Sequence, residues 1–280
     1  MNQAATRVGF IGLGRMGRPM AENILSADFV LDVYDLRRDS ADELIARGAL
    51  LASCPRAVAQ QSAIVAIAVV DDAQVEEVLS GPEGVFAGIG PGAIIAIHST
   101  VSPQAVKRWA ATGKAKGVHV IDAPVSGGEA GARLKSLCYM VGGEVEVLDR
   151  CQKIFATSAS EIIHMGGVGS GAAAKLIVQI ATCLNMLAAS EAELLATKCG
   201  LEFKLLQQVL KISSGQSFVV DNWLDRFKLT KDPLPVRRRR IEVFQKSLLP
   251  ALELARQLDL PLDGTKLAER LMPRIMGLED

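Results

Sequence analysis

The sequence predicts an α/β protein in two parts: a doubly wound parallel sheet, then an all-α second domain, the two joined by a long interdomain helix. Three observations carry this. From Arg7 to Ile163, short apolar runs alternate with helical stretches, with Gly and Pro at the joins. That is the pattern of strand–helix–strand units in a parallel sheet. From Gly169 onward almost everything has helical periodicity. Between these regions, the run that opens Gly169-Ser170-Gly171-Ala172-Ala173-Ala174-Lys175 continues to Cys199 without a proline. Gly166 and Gly167 loosen the chain ahead of it, and Gly200 stands where a C-cap belongs. The boundary is expected near His164, giving domains 1–164 and 165–280.

The elements follow in order. Arg7 to Ile11 is a short apolar run, and Gly12-Leu13-Gly14-Arg15-Met16-Gly17 comes at once, followed by a helical stretch from Met16 to about Ala27. Val30 to Tyr34 is the second strand, ending at Asp35. A lone GxGxxG motif is weak evidence. Here a strand precedes it, a helix follows, and an acid stands about 20 residues on, the full context of a dinucleotide site. Gly12 allows the tight turn, Gly14 lets backbone approach a diphosphate, and Gly17 lets the helix pack on the strand. The helix N-terminus then faces the anion. Asp35 would accept hydrogen bonds from ribose hydroxyls and repel a 2′-phosphate, which favours NAD. Arg37 and Arg38 could hold that phosphate and keep NADP open.

Ile64 to Val70 reads as a buried strand and Asp71-Asp72 as the start of a helix to Leu79. Ala93 to Ile97 is a strand ending at His98-Ser99-Thr100, and Ser102-Pro103 opens the next helix. Val118 to Ile121 is a strand leading into Asp122-Ala123-Pro124-Val125-Ser126-Gly127-Gly128. Successive glycine amides and a serine hydroxyl suit a carboxylate without a charged side chain; a plain glycine turn is the competing reading. Cys138 to Gly142 is one more strand, Glu144 to Thr157 a helix, and Ile162-Ile163 a last short strand. Helices are then expected over 170–199, 202–212, 217–228, 240–258 and 263–276, with Arg237 to Arg240 as a solvated helix start.

Near the start of the long helix, Lys175 stands alone among Ala, Leu, Ile and Val. A helix N-terminus disfavours cations, so the position is odd for a structural lysine. It is either a snorkelling side chain or a catalytic ammonium. Gln179, four residues on, shares its face.

Composition sets the outer bounds. Of 280 residues, 49% are hydrophobic and 22% charged, enough apolar chain for a sizeable core. Lys+Arg and Asp+Glu each number 31, so no bulk charge points to nucleic acid or a membrane surface. The cysteines at 54, 138, 151, 183 and 199 show no metal-ligand spacing and suit a reducing compartment. Met1 to Thr6 is polar, without a signal-peptide apolar region, and Lys175, Gln179 and Asn185 interrupt the only run long enough to span a bilayer. A soluble, cytoplasmic protein is expected.

With these residues collected, the chain resembles the β-hydroxyacid dehydrogenase family, the group of 3-hydroxyisobutyrate dehydrogenase and tartronate semialdehyde reductase, over nearly its whole length. Gly9 to Gly17 is similar to the family's cofactor signature, Asp122 to Gly128 to its substrate signature, and Gly169 to Lys175 to its catalytic signature. The resemblance implies a Rossmann domain, an all-α second domain, a homodimer or homotetramer, and hydride transfer between NAD (or NADP) and a small 3-hydroxy acid or semialdehyde. It implies Lys175 as acid and base, and Ser126, Gly127, Gly128 and Gln179 on the substrate. It places Gly12, Leu13, Gly14, Arg15, Met16, Gly17, Asp35, Leu36, Arg37, Val69, Val70, Thr100 and Lys246 on the cofactor, with no metal. The chain departs from the family at four positions: Gln179 for Asn, Ser247 for Asp, Arg239 for an apolar or aromatic residue, and Lys135 for Gly. The alternatives are an NADPH-dependent imine reductase, which usually lacks both the lysine and the Asp122–Gly128 loop, and a catalytically silent dinucleotide-binding module.

Overall fold

The computed structural model describes residues 6–228 and 232–278, without the side chains of 239, 240, 243 and 245–247. It divides into two compact units, one through Lys175 and one from Leu176.

The first unit is built on a sheet of nine strands among the described residues: β1 (Arg7–Ile11), β2 (Val30–Tyr34), β3 (Leu50–Leu51), β4 (Ile64–Ile67), β5 (Ile94–Ile97), β6 (His119–Asp122), β7 (Val125–Ser126), β8 (Leu137–Gly142) and β9 (Ala159–Gly166). They lie in the order β3-β2-β1-β4-β5-β6-β8-β7, with β9 also on β8. β1 pairs in parallel with β2 on one side and β4 on the other. The strand order reverses there, and the crevice beyond such a reversal is where α/β sheets bind ligands.

The central strands read as unbroken apolar runs because both faces are buried. Val8, Phe10, Ile64, Ala66, Ile94 and Ala96 enter one core, while Ile11, Val65, Ile67, Ile95 and Ile97 enter the other. The flanking helices are α1 (Gly17–Leu25), α2 (Asp42–Ala46), α3 (Pro55–Gln61), α4 (Asp72–Ser80), α5 (Pro103–Ala115), α6 (Gly128–Arg133) and α7 (Val145–Phe155). The caps are local: Asp71 accepts from Gln74 N–H at 3.0 Å, and Ser102 accepts from Ala105 N–H at 3.3 Å.

The sheet is not wholly parallel. β8 runs antiparallel to β6 and β7. The chain between Ser126 and Leu137 holds only the short helix α6, less than the dozen or so residues a parallel crossover needs.

Helix α8 (Ser170–Lys198) begins in the first unit and continues into the second. The expected boundary at 164/165 falls inside β9. The first unit reaches Lys175 because the opening of α8 is hydrogen-bonded into the sheet through Asp122.

The second unit contains the rest of α8, α9 (Phe203–Lys211), α10 (Phe218–Asp221), α11 (Leu234–Gln257) and α12 (Asp263–Ile275). Cys183, Met186, Ala189 and Ala196 of α8 pack with Trp223, Leu248, Ala268 and Met272 in its core. The helix expected over 217–228 is broken: after α10 comes a π-turn at Trp223–Phe227, where Trp223 Nε1 donates to Glu193 Oε2 at 2.9 Å. α11 starts at Leu234, earlier than the expected 240, because arginine continues a helix well and Pro235 suits its first turn. Arg237 is half-buried rather than solvated, and its guanidinium donates to the Gly277 carbonyl.

Candidate active site

The glycine loop has the geometry a dinucleotide needs. Gly12 has φ +95°, and a Cβ there would stand 2.6 Å from the Ala68 carbonyl oxygen. A Cβ on Gly17 would stand 1.9 Å from the Gly12 carbonyl oxygen, so only glycine lets α1 start this close to β1. At Gly14 the space is open for 4 Å, room for a phosphate to approach the backbone. Met16 offers α1 no side-chain cap and the first turn holds no acid, which leaves its positive end to an anion. Asp35, just past β2, accepts from Leu13 N–H at 2.7 Å and from Arg37 N–H at 2.8 Å. The acid is thereby locked against the glycine loop, and each carboxylate oxygen keeps a second lone pair. Arg37 is exposed, and so is Leu36, at 88%.

Across the crevice, Val69 N–H donates to Ser99 Oγ at 3.0 Å, and Thr100 follows half-buried; Val70 is exposed. The cofactor loop is tied to the segment after the Ser-Gly-Gly turn by Arg15 Nε, which donates to Glu129 Oε2 at 3.1 Å. Ser126 ends β7. Gly127 and Gly128 have φ +131° and +65°, and a Cβ on Gly127 would meet Leu137 Cδ2 at 2.8 Å. The turn therefore requires glycine for both conformation and space.

Lys175 lies in the second turn of α8 and is half-buried. Burial holds its pKa below the usual lysine range, at about 8, with Cys138 acting weakly in the other direction. The helix is fastened where it starts. Asp122 is fully buried at the end of β6, and its two carboxylate oxygens accept from Gly169 N–H at 2.7 Å and Ala172 N–H at 2.6 Å. Desolvation outweighs these bonds and holds the Asp122 carboxyl above the usual carboxylate range. A Cβ on Gly171 would stand 2.2 Å from the Met140 carbonyl oxygen, so the helix rests directly on β8.

The first unit thus holds Gly12 to Gly17, Asp35, Leu36, Arg37, Val69, Val70, Thr100, Ser126, Gly127, Gly128 and Lys175. Gln179 follows Lys175 by one turn of the same helix and belongs to the second unit, as does Lys246. The side chains of Lys246, Arg239 and Ser247 lie outside the described residues. Lys135 adopts φ +55°, a left-handed conformation that explains why the resembled family has glycine there. Sequence reasoning missed two roles. It read Asp122 only as the first residue of a motif, and Glu129 not at all; nothing local in the chain marks either partner.

A glycine loop open to a diphosphate, beside the point where a parallel sheet reverses its order, is the arrangement of a dinucleotide-binding domain. Residues 7–167 match the family model described as the NAD binding domain of 6-phosphogluconate dehydrogenase, and residues 169–278 match that of the NAD-binding of NADP-dependent 3-hydroxyisobutyrate dehydrogenase. The chain is 32% identical to 2-(hydroxymethyl)glutarate dehydrogenase of Eubacterium barkeri, covering 99% of this chain and 92% of that one. It is 38% identical to 2-hydroxy-3-oxopropionate reductase of Escherichia coli, covering 95% and 89%. The solved 3-hydroxyisobutyrate dehydrogenase of Mycobacterium tuberculosis with L-serine shares the fold at TM-score 0.84 and 24% identity, covering 98% of each chain. The chain belongs to the β-hydroxyacid dehydrogenase family, whose members use NAD or NADP on small hydroxy acids.

Proposed function

We propose that the protein oxidises a small 3-hydroxy acid, or reduces the matching semialdehyde, with Lys175 as the acid and base. The observation that carries this is a half-buried lysine, its pKa lowered by desolvation to about 8, on a helix fastened to the substrate loop through Asp122. Nicotinamide, when bound, takes or supplies the hydride. The chain's own residues do the rest. Ser126 and the Gly127-Gly128 turn hold the carboxylate, which fixes the carbinol carbon. The neutral Lys175 amine accepts the hydroxyl proton in oxidation. In reduction the ammonium donates a proton to the carbonyl oxygen and stabilises the charge developing there. Gln179, one turn further on, offers an amide donor and acceptor to the same substrate. The first turn of α1 receives the diphosphate. Asp35 accepts the adenosine ribose hydroxyls, which makes NAD the favoured cofactor, with Leu36 and Arg37 flanking the adenosine.

The test is steady-state turnover on four acids that share a carboxylate, a C2 substituent and a terminal carbinol: 3-hydroxyisobutyrate, L-serine, glycerate and 2-(hydroxymethyl)glutarate. Each is run with NAD and with NADP. Turnover of at least one acid, faster with NAD, is expected. Absence of turnover with every acid and both cofactors would return the chain to a silent dinucleotide-binding module.

A further inference from the structure

Three strands lay three side chains in a row across the sheet. In the antiparallel pair β7–β8, Ser126 stands directly opposite Cys138; in the parallel pair β8–β9, Cys138 stands directly opposite Glu161. Directly opposed residues project to the same face, with Cβ atoms of an antiparallel pair about 4.5–5.5 Å apart. Cys138 is therefore the next side chain along from Ser126.

Helix α8 brings Lys175 to the same place. Gly171 rests on β8 so closely that a Cβ would stand 2.2 Å from the Met140 carbonyl oxygen and 2.9 Å from Gly142 N. Lys175, four residues on, lies on the same helix face as Gly171. Cys138 lies two residues before Met140 on the strand. One helical turn advances about 5.4 Å and two strand residues about 6.6 Å, so a helix that runs back along β8 from Met140 brings Lys175 level with Cys138. The Lys175 amine and the Cys138 thiol each act on the other's proton affinity, which puts them within electrostatic reach of one another. Cys138 is half-buried, and burial together with the Glu161 carboxylate holds its thiol above the usual range, partly offset by Lys175. At neutral pH it is an uncharged, weakly polar group.

We propose that Cys138 is a specificity-determining wall of the hydroxy-acid site, facing the substituent on C2 of the substrate. The inference rests on the reading that Ser126 holds the carboxylate and Lys175 the hydroxyl. In a 3-hydroxy acid these groups sit on C1 and C3, so C2 spans the gap between Ser126 and Lys175. Cys138 is the side chain that borders both. A small, soft thiol favours a methyl or other compact substituent. It offers a hydroxyl or an ammonium only a weak hydrogen-bond partner.

The experiment ranks the same four acids by kcat/KM for the unmodified enzyme, Cys138→Ser and Cys138→Leu, with NAD binding and thermal unfolding measured on each. Cys138→Ser should shift the ratio of 3-hydroxyisobutyrate to glycerate towards glycerate by about threefold or more, a part of the roughly 10-fold or greater discrimination that a pocket gains from one methylene-sized group. Cys138→Leu should lower kcat/KM for 2-(hydroxymethyl)glutarate more than for the smaller acids. If Cys138→Leu does not fold, the serine variant alone decides. An unmodified enzyme that is active, and that loses activity in Lys175→Met, upholds the underlying site. If the serine variant then keeps the ranking within about twofold, the assignment of Cys138 is overturned while the site stands. An unmodified enzyme inactive on all four acids, or a fully active Lys175→Met, overturns the site and the assignment of Cys138 with it.

Discussion

Lys175 is a cation near the wrong end of a helix, and it is half-buried as well. Burial is the condition that disfavours the ammonium, because the field of the helix end falls off within the first turn and Lys175 lies in the second. Burial is the larger cause of a pKa of about 8, which leaves both protonation states available near neutral pH. A snorkelling lysine would extend its amine to water and keep an ordinary proton affinity. Two measurements follow at this scale. Lys175→Met keeps the length and apolar stem but removes the proton donor and the charge, so kcat should fall by at least about 10³-fold. NAD affinity, measured by fluorescence titration, should change little, because the amine does not hold the dinucleotide. Retention of more than about a tenth of the kcat would return Lys175 to a packing role. The second measurement is the pH profile. In the proposed mechanism oxidation needs the neutral amine, so its rate should rise with pH through about 8; reduction needs the ammonium and should fall over the same range. Parallel profiles in the two directions would assign the proton to another group.

At the scale of elements, the opening of α8 is the joint on which the proposed chemistry depends. One carboxylate, Asp122, accepts from two amides at the start of the helix, and Gly171 lets the helix sit directly on β8. Hydrogen bonds to a charged group contribute about 1.5–3 kcal/mol each. Asn has one acceptor oxygen in place of two and would turn an N–H₂ towards a buried amide. Asp122→Asn should therefore destabilise the protein by about 1–3 kcal/mol in urea unfolding, and Asp122→Ala by more. The Lys175 amine would lose its register with Ser126, so kcat should fall more than KM rises. Unchanged stability in both variants would mean that water replaces the carboxylate. This joint was not legible in the sequence, because its partners are 47 and 50 residues apart. The central strands were legible, since burial on both faces writes a continuous apolar run such as Ile64–Ile67 or Ile94–Ile97. β3 has only two residues and shows no pattern. α6 lies under glycines that read as a turn, and most of β9 is exposed, so only its Ile162-Ile163 portion was expected.

For the molecule as a whole, the order of the parts was legible and their coupling was not. The glycine loop is contiguous in sequence: Gly12 and Gly17 answer contacts within their own strand–turn–helix unit or the strand beside it and Gly14 leaves open space, so Gly12 to Gly17 could be read directly. The Asp122, Glu129 and Cys138 contacts arise only when distant strands pair. His98 belongs to this second kind. The sequence put it only at a strand end, just past Ile97. The structure buries it in the core of the first unit between the rings of Phe10, Tyr139 and Phe155, with Nδ1 donating to the Ala123 carbonyl at 2.8 Å. It thereby ties the chain just after β6 to the end of β5. Desolvation lowers its pKa from 6.5 to about 4. The folded state thus resists a proton that the unfolded chain accepts, so its contribution to stability is complete above pH 6.5 and is lost as pH falls towards about 4. Integrating that difference gives a loss of about 3 kcal/mol at pH 4, a large part of a typical domain's stability. The expected result is a steep fall in the urea midpoint between pH 6.5 and 4. His98→Gln keeps a donor for the Ala123 carbonyl and cannot titrate, so it should lower stability at pH 7 but flatten the slope over that interval. If the variant loses stability with acid as steeply as the unmodified protein, the acid sensitivity belongs to the carboxylates, and His98 is only a packing residue.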